Sequence, residues 1–113
     1  MSTNRIKSYG KLVIETEISG AKKLFKTINS DFAKVISKLS KIKGKVIITG
    51  VGKSGHIASK ISSTMSSTGT LSQYCSPTDM SHGDLGIITK NDAIIIISNS
   101  GKSEEFRALL DFA

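Results

Sequence analysis

In 113 residues the sequence has one cysteine, one proline and no tryptophan. Cys75 has no partner in its own chain, so no internal disulfide can form. That fits a reducing compartment and predicts a cytoplasmic protein. Pro77 is isolated, and no repeat or low-complexity stretch separates one half from the other. At this length the chain holds one domain at most. Long apolar runs are also missing. Ala93 to Ile97 is the longest, far short of the roughly 20 residues that span a bilayer. The start, MSTNRIKSYGK, has no apolar stretch and no cleavage pattern, so no signal peptide is predicted. What is present, 38% hydrophobic and 22% charged residues, suits a packed globular chain.

Acidic residues are scarce as well. Nine acids face 16 basic residues, a net charge of +7. The imbalance sits in residues 1–60, with 13 Lys/Arg against 3 acids; residues 61–113 carry 3 against 6. Nucleic acid or an anionic membrane is the usual partner of such a charge. However, the cations are nearly all lysines, and the first part offers only Tyr9, Phe25 and Phe32 for stacking on bases. Arginine for reading base edges is nearly absent. The charge reads as a solvated lysine-rich helical face, with no nucleic acid and no membrane as partner.

Along the chain, residues 8–42 have helical spacing, with Leu24, Ile28, Phe32, Val35, Ile36 and Leu39 three or four apart. Asn29-Ser30-Asp31 offers a cap for a second helix inside this region, and Gly44 is expected to end it. Lys45–Thr49 reads as a buried strand and residues 54–68 as a helix, stopped by Gly69. Leu71–Cys75 is a weaker strand, followed by a turn at Pro77 and a short helix within Thr78–Leu85. Ala93–Ser98 is the clearest buried strand, and Ser103 caps a last helix from Glu104. Apolar strands alternating with helices predict an α/β fold, a doubly wound parallel sheet covered on both faces, with three strands in order 2-1-3. The sequence stops inside its last helical pattern and reads as truncated, half of a doubly wound domain. An open edge beside the third strand would then be an aggregation hazard.

Two glycine-containing turns carry the chemistry. The first is TGVGKSGHIAS, Thr49–Ser59, where Gly50, Gly52 and Gly55 spell G-x-G-x-x-G. A Walker P-loop would need glycine at Ile47, so that reading fails. A dinucleotide loop expects an acid near the end of the second strand. The sequence has Tyr74-Cys75-Ser76 there, with Asp79 beyond Pro77. The third reading needs only a phosphate on backbone N–H groups at a helix start, with serine hydroxyls beside it. The second turn, Ser98-Asn99-Ser100-Gly101-Lys102-Ser103, follows the third strand. Both turns belong at the carboxyl ends of parallel strands, where ligands bind. Together they point to a small phosphorylated polyol.

GVGKSGHIASKISSTMSSTGT, with HGDLG and ISNSGKSEE, resembles the sugar isomerase (SIS) domain, and within it the arabinose-5-phosphate isomerases of lipopolysaccharide and capsule synthesis. The resemblance runs from about Lys45 to the end. It implies a three-layer α/β/α fold, a homo-oligomer (commonly a tetramer), and interconversion of D-arabinose 5-phosphate and D-ribulose 5-phosphate with no cofactor. By resemblance, residues 1–44 form an N-terminal helical segment and residues 45–113 the first half of a SIS domain, without the CBS pair that usually follows. Carried over by position, Lys53 and Glu105 are catalytic. Ser54, Gly69, Thr70, His82, Ser100 and Ser103 fall at sugar-phosphate positions. The residue types suit an enediol reaction: a carboxylate base, a cation beside the oxygen that gains charge, and an imidazole to help open the ring.

The sequence also departs from that family. It ends before a further catalytic glutamate and histidine, so the chain alone is expected to be inactive, since such groups act as a unit. Many members carry a histidine before the proline of the second-strand loop, which can bind an inhibitory zinc ion. Ser76 stands there, and no metal site is predicted. A non-enzymatic phosphosugar-binding regulator is the alternative; it would keep the serine turns without needing Glu105.

Overall fold

The computed structural model describes residues 2–101 and 104–113. The chain divides into two units, Met1–Lys38 and Leu39–Ala113. The first holds helix α1 (Thr3–Lys23), a 3-10 turn at Leu24–Thr27 and most of helix α2 (Ser30–Leu39). The helical region therefore begins at Thr3 rather than near Ser8, and it breaks once. The break is chemical. Asn29 ends the turn, and its Oδ1 accepts from the N–H groups of Asp31 and Phe32 at 3.0 and 3.2 Å. That is the expected cap, satisfying donors the helix itself cannot. Gly44 does not end α2, which stops at Leu39. Gly44 instead meets the Asn91–Asp92 turn, so close that a Cβ would run into the Asp92 carboxylate.

The second unit is a three-stranded parallel sheet in order β2-β1-β3. Strand β1 is Val46–Gly50, β2 is Ser72–Tyr74 and β3 is Ala93–Ile97. Residues Val46 to Gly50 pair with Ala93 to Ile97 in unbroken register, and Val46 to Ile48 with Ser72 to Tyr74. The order matches the expectation. Helix α3 (Lys53–Ser67) crosses from β1 to β2, and helices α4 (Pro77–Ser81) and α5 (Arg107–Phe112) complete the unit. Short parallel strands need such crossovers, and the helices they carry cover the sheet's faces.

Alternation along β1 sorts the core into two layers. Val46 and Ile48 pack with Ala58 of α3, joined by Leu39, Ile42, Met65 and Tyr74. Ile47 packs on the other face with Cys75, Met80 of α4 and Leu109 of α5. Val46, Ile47, Ile48 and Thr49 have no exposed surface. By contrast every residue of β3 is only half-buried, although Ile94–Ile97 is the most apolar stretch in the chain. Burial pushes the Cys75 thiol above its ordinary range, which leaves it neutral and unreactive.

One buried ion pair fastens the amino end of the sheet. Asp92 accepts from the Lys45 N–H (2.8 Å), from Lys45 Nζ (2.9 Å) and from the Thr89 N–H (2.8 Å). Lys45 Nζ also donates to the Ile87 carbonyl at 2.7 Å. Hydrogen bonding, first of all from the Lys45 backbone, holds the Asp92 carboxyl well below the usual carboxylate range. Its side chain is 2% exposed. With three donors on the carboxylate, the charge is compensated where an unpaired one would be strongly unfavourable.

Candidate functional site

β1 and β3 end side by side, with Gly50 opposite Ile97. Each runs into one of the two serine-bearing turns, so the pairing register itself brings those turns together. Between them lies a recess of about 230 Å³. Ser54, Ser98, Asn99 and Ser100 supply its polar wall; Val51, Ile97 and Phe106 supply the apolar one.

The first turn owes its shape to glycine. Gly50 and Gly55 are pressed together: a Cβ on Gly50 would lie 2.8 Å from the Ser54 carbonyl carbon and oxygen, and one on Gly55 would lie 2.6 Å from the Gly50 oxygen. Gly52 has φ +58°, a conformation that side chains disfavour. The G-x-G-x-x-G spacing is thus explained by backbone contact and one strained torsion. It brings the start of α3 against the end of β1. Ser54 and Gly55 donate to the Val51 carbonyl at 3.1 and 3.4 Å, and His56 to the Gly52 carbonyl at 3.2 Å. The N–H groups of Gly52 and Lys53 have no acceptor among the described residues. They sit at the positive end of a 15-residue helix whose first turn has no acid and carries Lys53. Tyr74 reaches under this turn, its hydroxyl 2.9 Å from where a Gly55 Cβ would stand. Unpaired N–H groups, a helix dipole and a lysine are what an anion requires.

The second turn is shaped by its own serine. Ser98 Oγ accepts from the Gly101 N–H at 3.0 Å, and Gly101 has φ +66°. Lys102 and Ser103, and with Ser103 the expected helix cap, lie outside the described residues. Glu105 falls in a 3-10 turn, Glu104–Phe106, that leads into α5.

Of the residues singled out from sequence, Ser54 and Ser100 line the recess, and Lys53 begins the helix beside it. His82 follows α4 and is exposed; it does not line the recess. Gly69 and Thr70 are placed apart from the recess. They lie between α3 and β2, next to Leu71, whose carbonyl accepts from Val46 at the first position of β1. That is the amino edge of the sheet. There Gly69 has φ +97°, and Thr70 N–H donates to the Met65 carbonyl at 2.8 Å, so both serve the end of α3. Ser98 and Asn99 are not among the ligand residues expected from sequence, although their turn is; the β3 pairing register is needed to put them in the wall. A larger recess, about 520 Å³, opens at the other end of β3 near Ile88, Lys90, Ile94 and Phe112. Its acidic member, Asp92, is already committed to Lys45 and Thr89.

Comparisons with known proteins agree with this fold. The chain is 45% identical over 101 residues to the arabinose 5-phosphate isomerase KdsD of Escherichia coli K12, covering 89% of this chain and 31% of that protein. It is 43% identical over 112 residues to the uncharacterized protein RP505 of Rickettsia prowazekii, covering 99% of this chain and 35% of that one. The chain thus spans about a third of these relatives' length. Among solved structures, an E. coli CFT073 protein in complex with arabinose 5-phosphate superposes with a TM-score of 0.90 at 39% identity, over 98% of this chain and 59% of that one. The SIS domain profile matches residues 38–113. With more than half of its length inside that match, the chain belongs to the SIS domain family.

Proposed function

We propose that this chain supplies the phosphate-binding and hydroxyl-binding wall of a site for a pentose 5-phosphate, and that the reaction served is interconversion of D-arabinose 5-phosphate and D-ribulose 5-phosphate. The observation that carries this reading is the recess itself: two serine-bearing turns meet over the unpaired N–H groups that open α3. Likeness to KdsD and to a structure holding arabinose 5-phosphate supports the choice of sugar. The phosphate would take the Gly52 and Lys53 N–H groups with the Ser54 hydroxyl. The sugar hydroxyls would take Ser98, Asn99 and Ser100.

In the isomerisation a base removes the C2 proton of the open-chain aldose. The electron pair moves to form a C1–C2 double bond, and the carbonyl oxygen becomes an enediolate oxygen. Transfer of the C2 hydroxyl proton to that oxygen, with return of the abstracted proton to C1, gives the ketose. Glu105 is the base in this reading and Lys53 the cation beside the developing charge. Further acid–base groups would come from polypeptide beyond this chain, so binding and turnover are separate expectations. Lipopolysaccharide or capsule sugar synthesis is the process this activity would serve. No helix among the described residues is long and apolar enough to cross a membrane.

A thermal titration tests the binding half. D-arabinose 5-phosphate should raise the melting temperature with the logarithm of its concentration above Kd, by the equivalent of about 2.7 kcal/mol at a hundred times Kd. Arabinose without phosphate, and NAD, should do nothing. Ser54→Ala should weaken the response. A cooperative melt that ignores the sugar phosphate at tens of times any metabolic concentration would overturn the proposal. Binding without turnover, even when the chain is joined to the remaining length its relatives carry, would favour a phosphosugar-binding regulator over an isomerase.

A further inference from the structure

The first turn reads G-V-G-K-S-G, Gly50 to Gly55, and all but one of its residues are accounted for. Gly50 and Gly55 are required by backbone contact and Gly52 by its torsion. Lys53 and Ser54 stand at the start of α3, where an anion is favoured. Val51 is the remainder. It belongs to neither layer of the core and is 40% exposed. The turn uses its carbonyl, which accepts from Ser54 and Gly55, but any residue would supply a carbonyl. An aliphatic side chain left this open contributes little to folding.

What Val51 does is line the recess. The other members of the apolar wall are held by the fold itself. Ile97 packs on the α3 side of the sheet, and Phe106 is 4% exposed. Val51 is the one apolar side chain there that a ligand meets and the fold does not need.

The recess also resists widening. Both turns hang from paired strand ends, Gly50 opposite Ile97. The first is braced by the Gly50–Gly55 contact and by two N–H groups on the Val51 carbonyl. The second is braced by the Ser98 hydroxyl on the Gly101 N–H. The volume between them, about 230 Å³, is below the roughly 300–1,000 Å³ of most ligand pockets. In so small a space between braced walls, the size of one side chain decides what fits.

We propose that Val51 sets the sugar selectivity of this site. It accepts the five-membered ring of a pentose 5-phosphate, and the open chain made from it, and refuses the six-membered ring of a hexose 6-phosphate. Valine exceeds alanine by two heavy atoms, Cγ1 and Cγ2. D-glucose 6-phosphate exceeds D-arabinose 5-phosphate by two as well, the carbon and oxygen of one CHOH unit, and the two sugars otherwise share configuration. The proposal rests on the pentose-phosphate reading above and adds the residue that makes it selective.

Calorimetric titration of the 113-residue chain with D-arabinose 5-phosphate, D-glucose 6-phosphate and inorganic phosphate tests it. The wild type should bind the pentose phosphate at least about tenfold more tightly than the hexose phosphate, the discrimination a group of this size supports. Val51→Ala should tighten hexose phosphate binding by about tenfold. Val51→Leu should weaken D-arabinose 5-phosphate by about tenfold. Inorganic phosphate should bind all three proteins alike, since neither substitution touches the N–H groups that open α3. A wild type that binds no D-arabinose 5-phosphate would overturn the pentose reading and this proposal with it. A wild type that binds it, with the same pentose-to-hexose ratio in both variants, would overturn this proposal alone.

Discussion

The close approach of Gly50 and Gly55 can be tested by closing it. In Gly50→Ala the new Cβ would stand 2.8 Å from the carbonyl carbon and oxygen of Ser54 and 3.0 Å from the Gly55 nitrogen. All three are backbone atoms of the first turn of α3, so no side chain can swing away. Reaching ordinary contact at 3.4 Å requires that turn to retreat by 0.4–0.6 Å. Overpacking of this kind costs about 1–3 kcal/mol. The unit Leu39–Ala113 falls in the size range where 1 kcal/mol moves the melting temperature by about 4–8 °C, so a drop of about 4–24 °C is expected by circular dichroism. Gly55→Ala pushes on the same gap from the other side, against the Gly50 carbonyl. One retreat relieves both clashes, so the double variant should lose clearly less than the sum of the singles, a coupling of about 0.5 kcal/mol or more. Gly86→Ala is the control, with an ordinary φ and nothing within 4 Å of its Cβ. A Gly50→Ala melting temperature within about 2 °C of wild type, or strict additivity in the double variant, would refute the packing argument.

Two further outcomes follow from buried polar groups. Thr49 Oγ1 is fully buried and has no hydrogen-bond partner among the described residues, so Thr49→Val should raise stability in urea denaturation, by up to about 1–3 kcal/mol; a loss of that size would mean the hydroxyl has a partner, such as an internal water. Asp92 has its carboxyl pKa lowered in the fold, so its stabilisation is fully present above the ordinary value of about 3.9 and drains away as pH falls below it towards the folded value. Melting temperature should therefore drop steeply below about pH 4, and Asp92→Asn should be less stable at pH 7 and much flatter across that window.

Parts of this molecule are legible in the sequence because they depend on local patterns. An apolar β-branched run bounded by glycine makes β1, four successive isoleucines make all of β3 but its first residue, and Asn29 caps α2 by bonds two and three residues away. The break at Leu24–Thr27 carries no proline or glycine, and only the Asn29-Ser30-Asp31 cap marks it in the sequence. Gly44 misleads for a related reason. A glycine after a helical stretch has the look of a helix terminus, but its cause here is Asp92, far downstream. The same separation hides the Lys45–Asp92 pair, whose partners are joined only by the β1–β3 register.

The site divides along the same line. Chemistry confined to one turn is visible in the sequence: Ser54 and Lys53 at a helix start, Ser100 in a serine–glycine turn. Membership in one recess is not, because it depends on which strand ends lie adjacent. Gly69 and Thr70 show the limit. Likeness of motif assigns them to the ligand, while the topology sets them at the amino edge of the sheet, with the crossover helix running between them and Ser54. Within this one chain the recess at the carboxyl ends of β1 and β3 has Ser54 and Ser100 together in its wall and neither Gly69 nor Thr70. Any contact from those two residues to a sugar phosphate would therefore have to be made to a ligand bound elsewhere. Substituting Thr70 should leave the response of this chain to D-arabinose 5-phosphate unchanged, where Ser54→Ala weakens it.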